Sequence, residues 1–271
     1  MKQFRIVIAF LVASVALNSS ALATDVLTNR GDNARTGLNS NETILTPAKV
    51  ASPAFGLLSN NQVDGQVYAQ PLYVSGQRIT VNGRSIVANV LYVATEHDSL
   101  YAFDADTGTQ YWKTSLLQLG ESPVSSTDVS CNDLVPEIGI TASPVIDRAA
   151  GPNGTIFVVV MSKNGTSFFH WLHAVDLSTG QARLAPISIQ AKVTGNGAAT
   201  TFVPRKQRGR SGLLLLNGII YTAWGSFCDN EPYSGWIIAY NEGDLSQAAA
   251  LLSRTQPFSC PLCLRHGTSQ Q

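Results

Sequence analysis

The sequence predicts an all-β protein, a β-propeller in which about three blades are recognisable and the ring is incomplete. Two observations predict this class: short apolar strands recur at a near-constant interval, and no long segment shows the periodicity of an amphipathic helix. A parallel α/β fold would need crossover helices, and a β-sandwich, the rival all-β fold, does not require a long repeat. Since roughly four to eight blades close a propeller, three blades imply a partial ring.

The repeating unit is clearest in residues 90–113, VLYVATEHDSLYAFDADTGTQYWK. Three runs rich in β-branched and aromatic residues are separated by two polar turns, residues 96–99 and residues 104–108. Aspartate can accept hydrogen bonds from the backbone amides that follow it, and glycine tolerates the positive φ that ends such a turn. The stretch therefore predicts three short strands joined by tight turns.

The first 23 residues predict a signal peptide. Lys2 and Arg5 precede an apolar run over residues 6–17, and the small residues before Ala23 suit a signal peptidase. The run is short for a bilayer span, which favours cleavage after Ala23 over the alternative, an uncleaved membrane anchor. No later segment is long and apolar enough to cross a membrane, so we expect a secreted or periplasmic protein with no transmembrane segment after cleavage.

Residues 24–65 predict a lead-in segment rather than a domain. Its first part is polar and rich in turn residues, NRGDNARTG. Its second part, LTPAKV, carries a helix-start signal, with Thr46 as the cap and Pro47 at the first helical position.

Residues 66–244 carry the predicted blades. Each unit has a first strand near a proline or glycine, an apolar middle strand, and a third strand that ends in Asp or Asn. The middle strands begin at Leu91, Ile156 and Ile220, at intervals of 65 and 64 residues. This near-constant interval is typical of a repeat fold whose units stack radially.

Residues 245–271 predict an irregular tail, because the strand pattern stops after Asp244 and no further blade follows. A truncated or frameshifted sequence explains both the tail and the partial ring, and the alternative is a short chain that completes its ring by oligomerising. An unclosed ring leaves open sheet edges, so we expect residues 24–271 to self-associate or dissolve poorly.

Charge and cysteines exclude some functions. The formal net charge is zero and charged residues make up 13%, which gives no long-range attraction to nucleic acid. The four cysteines (Cys131, Cys228, Cys260 and Cys263) allow three pairings, among which the sequence does not choose. The C-x-x-C spacing of the last two lacks the helix context of a redox motif and the second pair of a structural zinc site.

The stretch SLYAFDADTG at residues 99–108, followed by Trp112, resembles the repeat of pyrroloquinoline-quinone (PQQ) enzymes, G-x-L-Y-A-L-D-A-x-T-G-x-x-x-W. The stretch HAVDLSTG at residues 173–180 is a weaker copy, and the third copy keeps only IAYN. The lead-in also resembles the start of quinoprotein alcohol dehydrogenases, with Lys49 where those enzymes have asparagine. The resemblance covers most of residues 29–244 and implies a β-propeller of the PQQ-repeat type.

This superfamily includes PQQ- and calcium-dependent dehydrogenases and also non-catalytic outer-membrane assembly lipoproteins. In the enzymes, two adjacent cysteines form a ring against the quinone. The nearest counterpart here is the segment SCND at residues 130–133, where Asn132 occupies the place of the second cysteine. PQQ and calcium are therefore implied by the resemblance alone, and no catalytic residue is carried over.

The weak candidates for a cofactor-binding site are Cys131, Asp133 and Glu137, in the loop that precedes the second blade. Loops at one mouth of a propeller carry function, which favours these residues. The alternative is structural: Cys131 pairs with Cys228, and Glu137 caps a strand. The structural interpretation is the better supported, since nothing in the sequence shows that the three groups converge.

Other polar motifs have simpler explanations than a ligand site. Asp104 and Asp106 are spaced like half a calcium loop, but the copy at Asp176 has serine in place of the second carboxylate, which favours turn chemistry. His97 is expected in an exposed turn. His170 and His173 lie three apart on a strand and should point to opposite faces, which disfavours a shared metal.

The basic run RKQRGR at residues 205–210 predicts a solvated loop between blades, with binding of an anionic glycan or lipid head group as the minor alternative. Three N-x-T sequons occur, at Asn41, Asn153 and Asn164, and the last two are Asn-Gly dipeptides typical of hairpin turns.

The sequence thus predicts an exported propeller module that binds a protein or polysaccharide partner without catalysis. The alternative is the N-terminal part of a PQQ- and calcium-dependent quinoprotein dehydrogenase that oxidises alcohols or sugars. The missing cysteine pair favours the first hypothesis.

Overall fold

The computed structural model describes residues 24–195, 198–230 and 234–253. The predicted signal peptide and the pair Cys260 and Cys263 lie outside these residues. No helix among the described residues has the length and hydropathy to span a bilayer.

The described chain is built almost entirely of strands. Its elements in chain order are α1 (Pro47–Val50), β1 (Leu72–Val81), β2 (Arg84–Ala94), β3 (Ser99–Asp104), β4 (Gln110–Ser115), β5 (Ser122–Ser125), β6 (Glu137–Ile138), β7 (Val145–Asp147), β8 (Thr155–Asn164), β9 (Ser167–Asp176), β10 (Ala182–Ser188), β11 (Lys192–Gly195), β12 (Ala198–Thr201), β13 (Gln207–Arg208), β14 (Leu214–Leu216), β15 (Ile219–Ser226), β16 (Trp236–Asn241) and β17 (Gln247–Leu252). Two short 3-10 helices, Pro204–Lys206 and Phe227–Asp229, complete the list.

These strands form three antiparallel blades, which confirms the predicted fold class. Blade 1 has the order β1-β2-β3-β4. Blade 2 is the sheet of β7, β8, β9 and β10, with β5 extending the same edge of β8 and β6 pairing with β5. Blade 3 is built from β14, β15, β16 and β17, with β13 extending the edge of β15. The described blades do not close into a ring.

The third blade extends further than the sequence pattern indicated. The expectation that the strand pattern stops after Asp244 is wrong, because β17 pairs along β16 from Tyr240 to Trp236. The segment QAAALL was missed because alanine is depleted in strands and the run does not alternate. Pairing with a neighbouring strand, rather than local propensity, makes it a strand.

Two apolar cores hold the blades together. One lies between blades 1 and 2 and includes Tyr92, Leu100, Ile156 and Val158. The other lies between blades 2 and 3 and includes Phe157, Leu172, Trp236, Ile238 and Tyr240. Since side chains alternate across a strand, Ile156 and Phe157 face different blades, and blade 2 is covered on both sides.

The lead-in segment crosses the first strand of every blade. Val26 bridges Tyr73 of β1, and Leu27 O accepts a hydrogen bond from Ile146 N of β7. At blade 3, Asn33 Nδ2 donates to Leu215 O of β14 at 3.0 Å, and the Arg35 guanidinium donates to Leu213 O, just before β14, at 2.8 Å. Arg35 also donates to Thr28 Oγ1 and Asn29 O. We call residues 25–35 the strap. The predicted helix start is confirmed further along, where Thr46 Oγ1 accepts from Lys49 N.

Candidate functional site

The candidate residues lie at one end of the blades. Strands in a blade alternate in direction, so the β2–β3 and β8–β9 turns share an end with the loops that join one blade to the next. We call this end the connection face. It carries the turn at residues 96–98, the loop at residues 126–138, the connection at residues 204–210 and the segment at residues 227–230.

A disulfide joins two loops of this face. Cys131, in the loop before blade 2, is bonded to Cys228, which follows β15 of blade 3. The backbone is left-handed at Ser130, Cys228 and Asp229, with φ of 53°, 46° and 54°. The structure thus selects the pairing that the sequence had offered as the structural alternative, and Cys131 is a cross-link between blades.

Asp133 also has a structural partner. It forms an ion pair with Arg208 of β13, whose side chain is 22% exposed. Cys131, Asp133 and Cys228 place their ligand atoms within 4.8 Å of one another, which is metal-like spacing. Cysteine binds a metal ion as the thiolate, not as a disulfide, and the Asp133 carboxylate is already paired with Arg208. This group therefore cross-links the blades and does not form a metal site.

Glu137 lies on β6 and contacts His97 of the β2–β3 turn. His97 Nδ1 is 3.0 Å from Glu137 Oε2, and the His97 side chain is 46% exposed. The two residues therefore connect blade 1 to the loop that precedes blade 2. Cys131, Asp133 and Glu137 share the connection face, but each has its own partner: Cys131 and Asp133 are bonded to residues of blade 3, and Glu137 contacts a residue of blade 1.

The sequence analysis missed two buried carboxylates in the turn that contains His97. Glu96 and Asp98 are both 0% exposed. Glu96 Oε2 accepts from Gly139 N at 2.7 Å and from Thr141 Oγ1 at 2.9 Å, so it joins blade 1 to blade 2. Burial, partly offset by these hydrogen bonds, raises the pKa of Glu96 to about 7.

The Asp98 carboxylate has fewer hydrogen-bond partners than that of Glu96. Neither of its carboxylate oxygens has a hydrogen-bond partner among the described residues. Burial, followed by the charges of neighbouring carboxylates led by Glu96, raises its pKa well above the usual value. Gly139 allows this approach, because a Cβ there would lie 2.4 Å from Asp98 Oδ1. From sequence, these residues resemble any polar turn, so no local signal distinguished them.

The turn aspartates behave as the sequence predicted. Asp104 Oδ1 accepts from Asp106 N at 2.9 Å and from Thr107 N at 2.7 Å. Asp176 Oδ1 accepts from Ser178 N and Thr179 N, both at 3.0 Å. The same bonds form with and without a second carboxylate, which supports turn chemistry over a calcium loop.

The two histidines of β9 point to opposite faces, as predicted. His170 packs against Phe202 and Trp224 on the blade 3 side, and Nε2 lies 3.1 Å from Gln207 O. His173 lies an odd number of positions away, on the face toward blade 1. Burial lowers the pKa of each imidazole to about 4, so both are neutral at physiological pH.

The basic run connects blades 2 and 3 and is solvated in part, since Arg205, Lys206 and Arg210 are exposed, but two of its arginines also contact the loop before blade 2. Arg205 Nε donates to Asp128 O at 2.7 Å, and its guanidinium lies over the Phe168 ring. Gln207 is buried, and Arg208 holds Asp133. Burial and ion pairing were invisible from sequence, because the partners are more than seventy positions upstream.

The residues implied by the resemblance do not fit a quinone of the enzyme type. The sulfur that would form half of an adjacent cysteine pair is bonded to Cys228 instead, and Asn132 follows it. Among the described residues, the group with metal-like spacing is the one that contains this disulfide. We therefore derive no redox step from these residues.

Comparison with known proteins supports the fold class. No family model matches the chain, and no curated protein matches it. A solved quinohemoprotein alcohol dehydrogenase from Comamonas testosteroni matches with a TM-score of 0.50 and 18% identity, over 84% of this chain and 27% of that chain. At this identity the match shows the fold alone, and this chain spans about a quarter of the enzyme's length.

Two further structures match less closely. The quinohemoprotein alcohol dehydrogenase ADHIIG from Pseudomonas putida HK5 has a TM-score of 0.38 and 9% identity, over 68% of this chain and 30% of that chain. BamB from Moraxella catarrhalis has a TM-score of 0.29 and 10% identity, over 70% of this chain and 65% of that chain. Neither match carries weight for function.

Proposed function

We propose that this chain is an exported, PQQ-repeat type propeller module that binds or scaffolds a protein or polysaccharide partner without catalysis. The observation that supports the proposal is that each of the three candidate residues already has a structural partner. Cys131 is cross-linked to Cys228, Asp133 pairs with Arg208, and Glu137 contacts His97. Groups that join one blade to another are not available to hold a quinone or a catalytic cation.

A rigid connection face suits a binding role. Bonds from two blades converge on the loop at residues 126–138, through the disulfide, the Asp133 ion pair and the Glu137 contact. Loops fixed in this way present a defined surface at low entropic cost, which favours recognition of a partner. Export is part of the proposal and rests on the N-terminal sequence.

Reconstitution tests the non-catalytic proposal. The purified protein is mixed with PQQ and calcium, and dye-linked turnover of alcohols and sugars and the absorbance of bound quinone are measured. We expect neither turnover nor a quinone absorbance that calcium sharpens. Either signal would instead support the alternative, the N-terminal part of a PQQ- and calcium-dependent dehydrogenase.

A matched variant makes a positive signal interpretable. Asn132→Cys combined with Cys228→Ser leaves two adjacent cysteines free to bond to each other, at the place where the resemblance puts the enzymes' pair. If this variant but not the wild type retains quinone, the absence of an adjacent pair is what prevents binding. If the wild type also retains quinone, the proposal is wrong.

A further inference from the structure

The two buried carboxylates of the β2–β3 turn have oxygens that nothing on the protein neutralises. Glu96 and Asp98 are both 0% exposed. Glu96 Oε1 and both carboxylate oxygens of Asp98 are buried and have no hydrogen-bond partner among the described residues. Burying an unpaired carboxylate is strongly unfavourable, so these oxygens require either bound protons or a bound cation.

The oxygens of this turn converge beside Gly139, which follows β6. Asp98 Oδ1 and Glu96 O each lie 2.4 Å from the position that a Cβ would take at Gly139, and Gly139 N donates to Glu96 Oε2 at 2.7 Å. Any side chain at this position would collide with the two oxygens, so glycine permits the approach. Asp98 Oδ1 and Glu96 O are close enough to share one ion, since Ca²⁺ binds oxygens at about 2.3–2.6 Å.

The neighbouring lead-in adds a further oxygen of the same kind. Gln66 O accepts a hydrogen bond from Glu96 N at 2.9 Å, and Gln66 Oε1 is buried without a hydrogen-bond partner among the described residues. The imidazole of the same turn is used elsewhere, because His97 Nδ1 contacts Glu137. The free donors are therefore carboxylate, amide and carbonyl oxygens, which suit Ca²⁺, whereas zinc is bound mainly through nitrogen and sulfur.

The charges around the turn also favour a cation. No ion pair joins Glu96 or Asp98 to a basic side chain within the described part of the chain. Arg210 is near enough for its charge to act on Glu96 but does not pair with it. The charges that act most strongly on Asp98 are those of four carboxylates: Glu96, Glu137, Glu121 and Asp64. A divalent cation would neutralise the two carboxylates that have no basic partner.

We propose that Glu96 and Asp98 bind one calcium ion, which joins the β2–β3 turn of blade 1 to the segment that leads into blade 2. The two carboxylates supply the charged ligands, and Glu96 O and Gln66 Oε1 supply neutral ones. Bidentate carboxylates and water complete the roughly six to eight oxygens that calcium takes. The ion has a structural role. The proposal goes beyond the binding role above and does not depend on it, because these residues are not those that the resemblance places at a quinone.

Calcium content and unfolding, both measured without quinone, test the proposal. The purified protein is stripped with a chelator, exposed to calcium chloride, passed into metal-free buffer and analysed by mass spectrometry for metals. We expect about one retained calcium ion per chain. Calcium should also raise the denaturant midpoint, strongly at pH 8 and weakly at pH 5, because protons compete for the same oxygens. Magnesium at the same concentration should raise it less, since Mg²⁺ demands a stricter geometry.

Conservative variants of the two carboxylates locate the site. Asp98→Asn and Glu96→Gln should each weaken calcium binding at least about tenfold, because each removes a charged ligand. Asparagine, like aspartate, tolerates the left-handed backbone at residue 98, where φ is 56°. In chelator at pH 8, Asp98→Asn should be at least as stable as the wild type, because it removes a buried charge, and in calcium it should be less stable. A residue with a purely structural role would not show this reversal.

Asp106→Asn is the matched control, because Asp106 is an exposed aspartate of the same blade, and it should bind calcium as the wild type does. If Asp98→Asn does not fold, Glu96→Gln decides. A wild type that retains no calcium and whose midpoint calcium does not change would overturn the proposal, since protons alone would then neutralise the turn. Equal calcium retention by the wild type and the carboxylate variants would overturn it as well, because the ion would bind elsewhere.

Discussion

The carboxylate side chains of this chain have different structural roles, and only some of these roles could be predicted from the sequence. Asp104 and Asp176 each close a turn by accepting two backbone N–H bonds, and the repeat itself pointed to this role. The roles of Asp133 and Glu96 became visible only in the folded structure. The ion-pair partner of Asp133 is seventy-five positions away, and Glu96 is completely buried, and neither fact can be inferred from the neighbouring sequence. Residue type was readable from sequence, and the residue's partner was not.

The turn role of Asp104 predicts an ordered series of variants. Asp104→Ala removes two backbone acceptor bonds and the bond from Tyr111 Oη, and should lower the free energy of unfolding by about 1–2 kcal/mol. Asp104→Asn keeps an acceptor oxygen and should cost less. Denaturant unfolding with and without calcium measures both. Asp106→Ala is the control, and a calcium-induced stabilisation that Asp104→Ala and Asp106→Ala both abolish would contradict the turn role.

The buried Glu96 predicts a pH dependence of stability. Its folded pKa is about 7, above the ordinary glutamate value, so the folded state holds a proton that the unfolded state has lost. The contribution of Glu96 to the free energy of unfolding is at its maximum below the ordinary glutamate pKa, and it is lost as the pH rises to about 7. At 1.36 kcal/mol per pKa unit, the loss is about 3 kcal/mol. Asp98, whose pKa is also raised, acts in the same direction.

Denaturant midpoints between about pH 4 and pH 8 check this dependence. The wild type should lose stability as pH rises, and Glu96→Gln should flatten the curve, since a neutral amide cannot ionise. Asp106→Asn, at an exposed turn on the opposite end of blade 1, should keep the wild-type curve. Superimposable curves for the wild type and Glu96→Gln would show that this carboxylate does not titrate in the predicted range.

At the scale of elements, long-range bonds fix how the blades sit together. The strap at residues 25–35 contacts all three first strands, and the disulfide joins the loop before blade 2 to the segment after β15. The individual strands and the helix start at Thr46 were predictable, because they depend on local pattern and capping. The strap was not, because a polar, turn-rich segment shows no sign of the strands it contacts.

The strap predicts unequal effects for two arginines five positions apart. Arg35 donates to Thr28, Asn29 and Leu213, and Arg35→Ala should lower the free energy of unfolding by about 2–4 kcal/mol. The Arg30 side chain is exposed and makes no hydrogen bond or ion pair to the other described residues, so Arg30→Ala is the matched control and should cost well under half as much. Thermal and denaturant unfolding compare them. Equal losses would mean that the strap does not hold blade 3.

We expect removal of the disulfide to lower the free energy of unfolding strongly, because its two cysteines are far apart in the sequence. Its cysteines are 97 positions apart, and closing a loop of that length stabilises the fold by roughly 4–5 kcal/mol in the chain-entropy model. Cys131→Ser should therefore destabilise the protein by roughly 2–5 kcal/mol. The double variant with Cys228→Ser should match the single one, because the second substitution removes a thiol that is already unpaired. Non-reduced peptide mapping should recover the 131–228 cross-link, and a different pairing would refute the assignment.

At the scale of the whole molecule, the described chain is a partial ring of three blades. The described blades do not close into a ring, and the chain spans 27% of the Comamonas testosteroni enzyme that shares its fold. Among the described residues of blade 3, Leu216, Ile237 and Leu251 are 45%, 42% and 58% exposed.

Intact mass and N-terminal sequencing of the native exported protein test the whole-molecule expectations. Cleavage after Ala23 predicts a mature chain that begins at Thr24. A retained N-terminus would instead support the membrane-anchor alternative. A mass well above that of residues 24–271 would place the enzyme question in blades beyond this sequence, and a matching mass would direct attention to how three blades complete a ring and what partner they bind.

The sequence by itself determined the fold class, the blade interval and the turn chemistry, because strand alternation and turns that run from an Asp to a Gly four positions later are local properties, and the turn recurs in blades 1 and 2. It did not determine the fourth strand of blade 3, the Cys131–Cys228 pairing, or the partners of Asp133 and Glu137. Those depend on contacts between residues distant along the chain, which only the packed blades bring together. The raised pKa values of Glu96 and Asp98 also depend on the packed blades, because burial causes them and the same turn in water would have carboxylates of ordinary pKa.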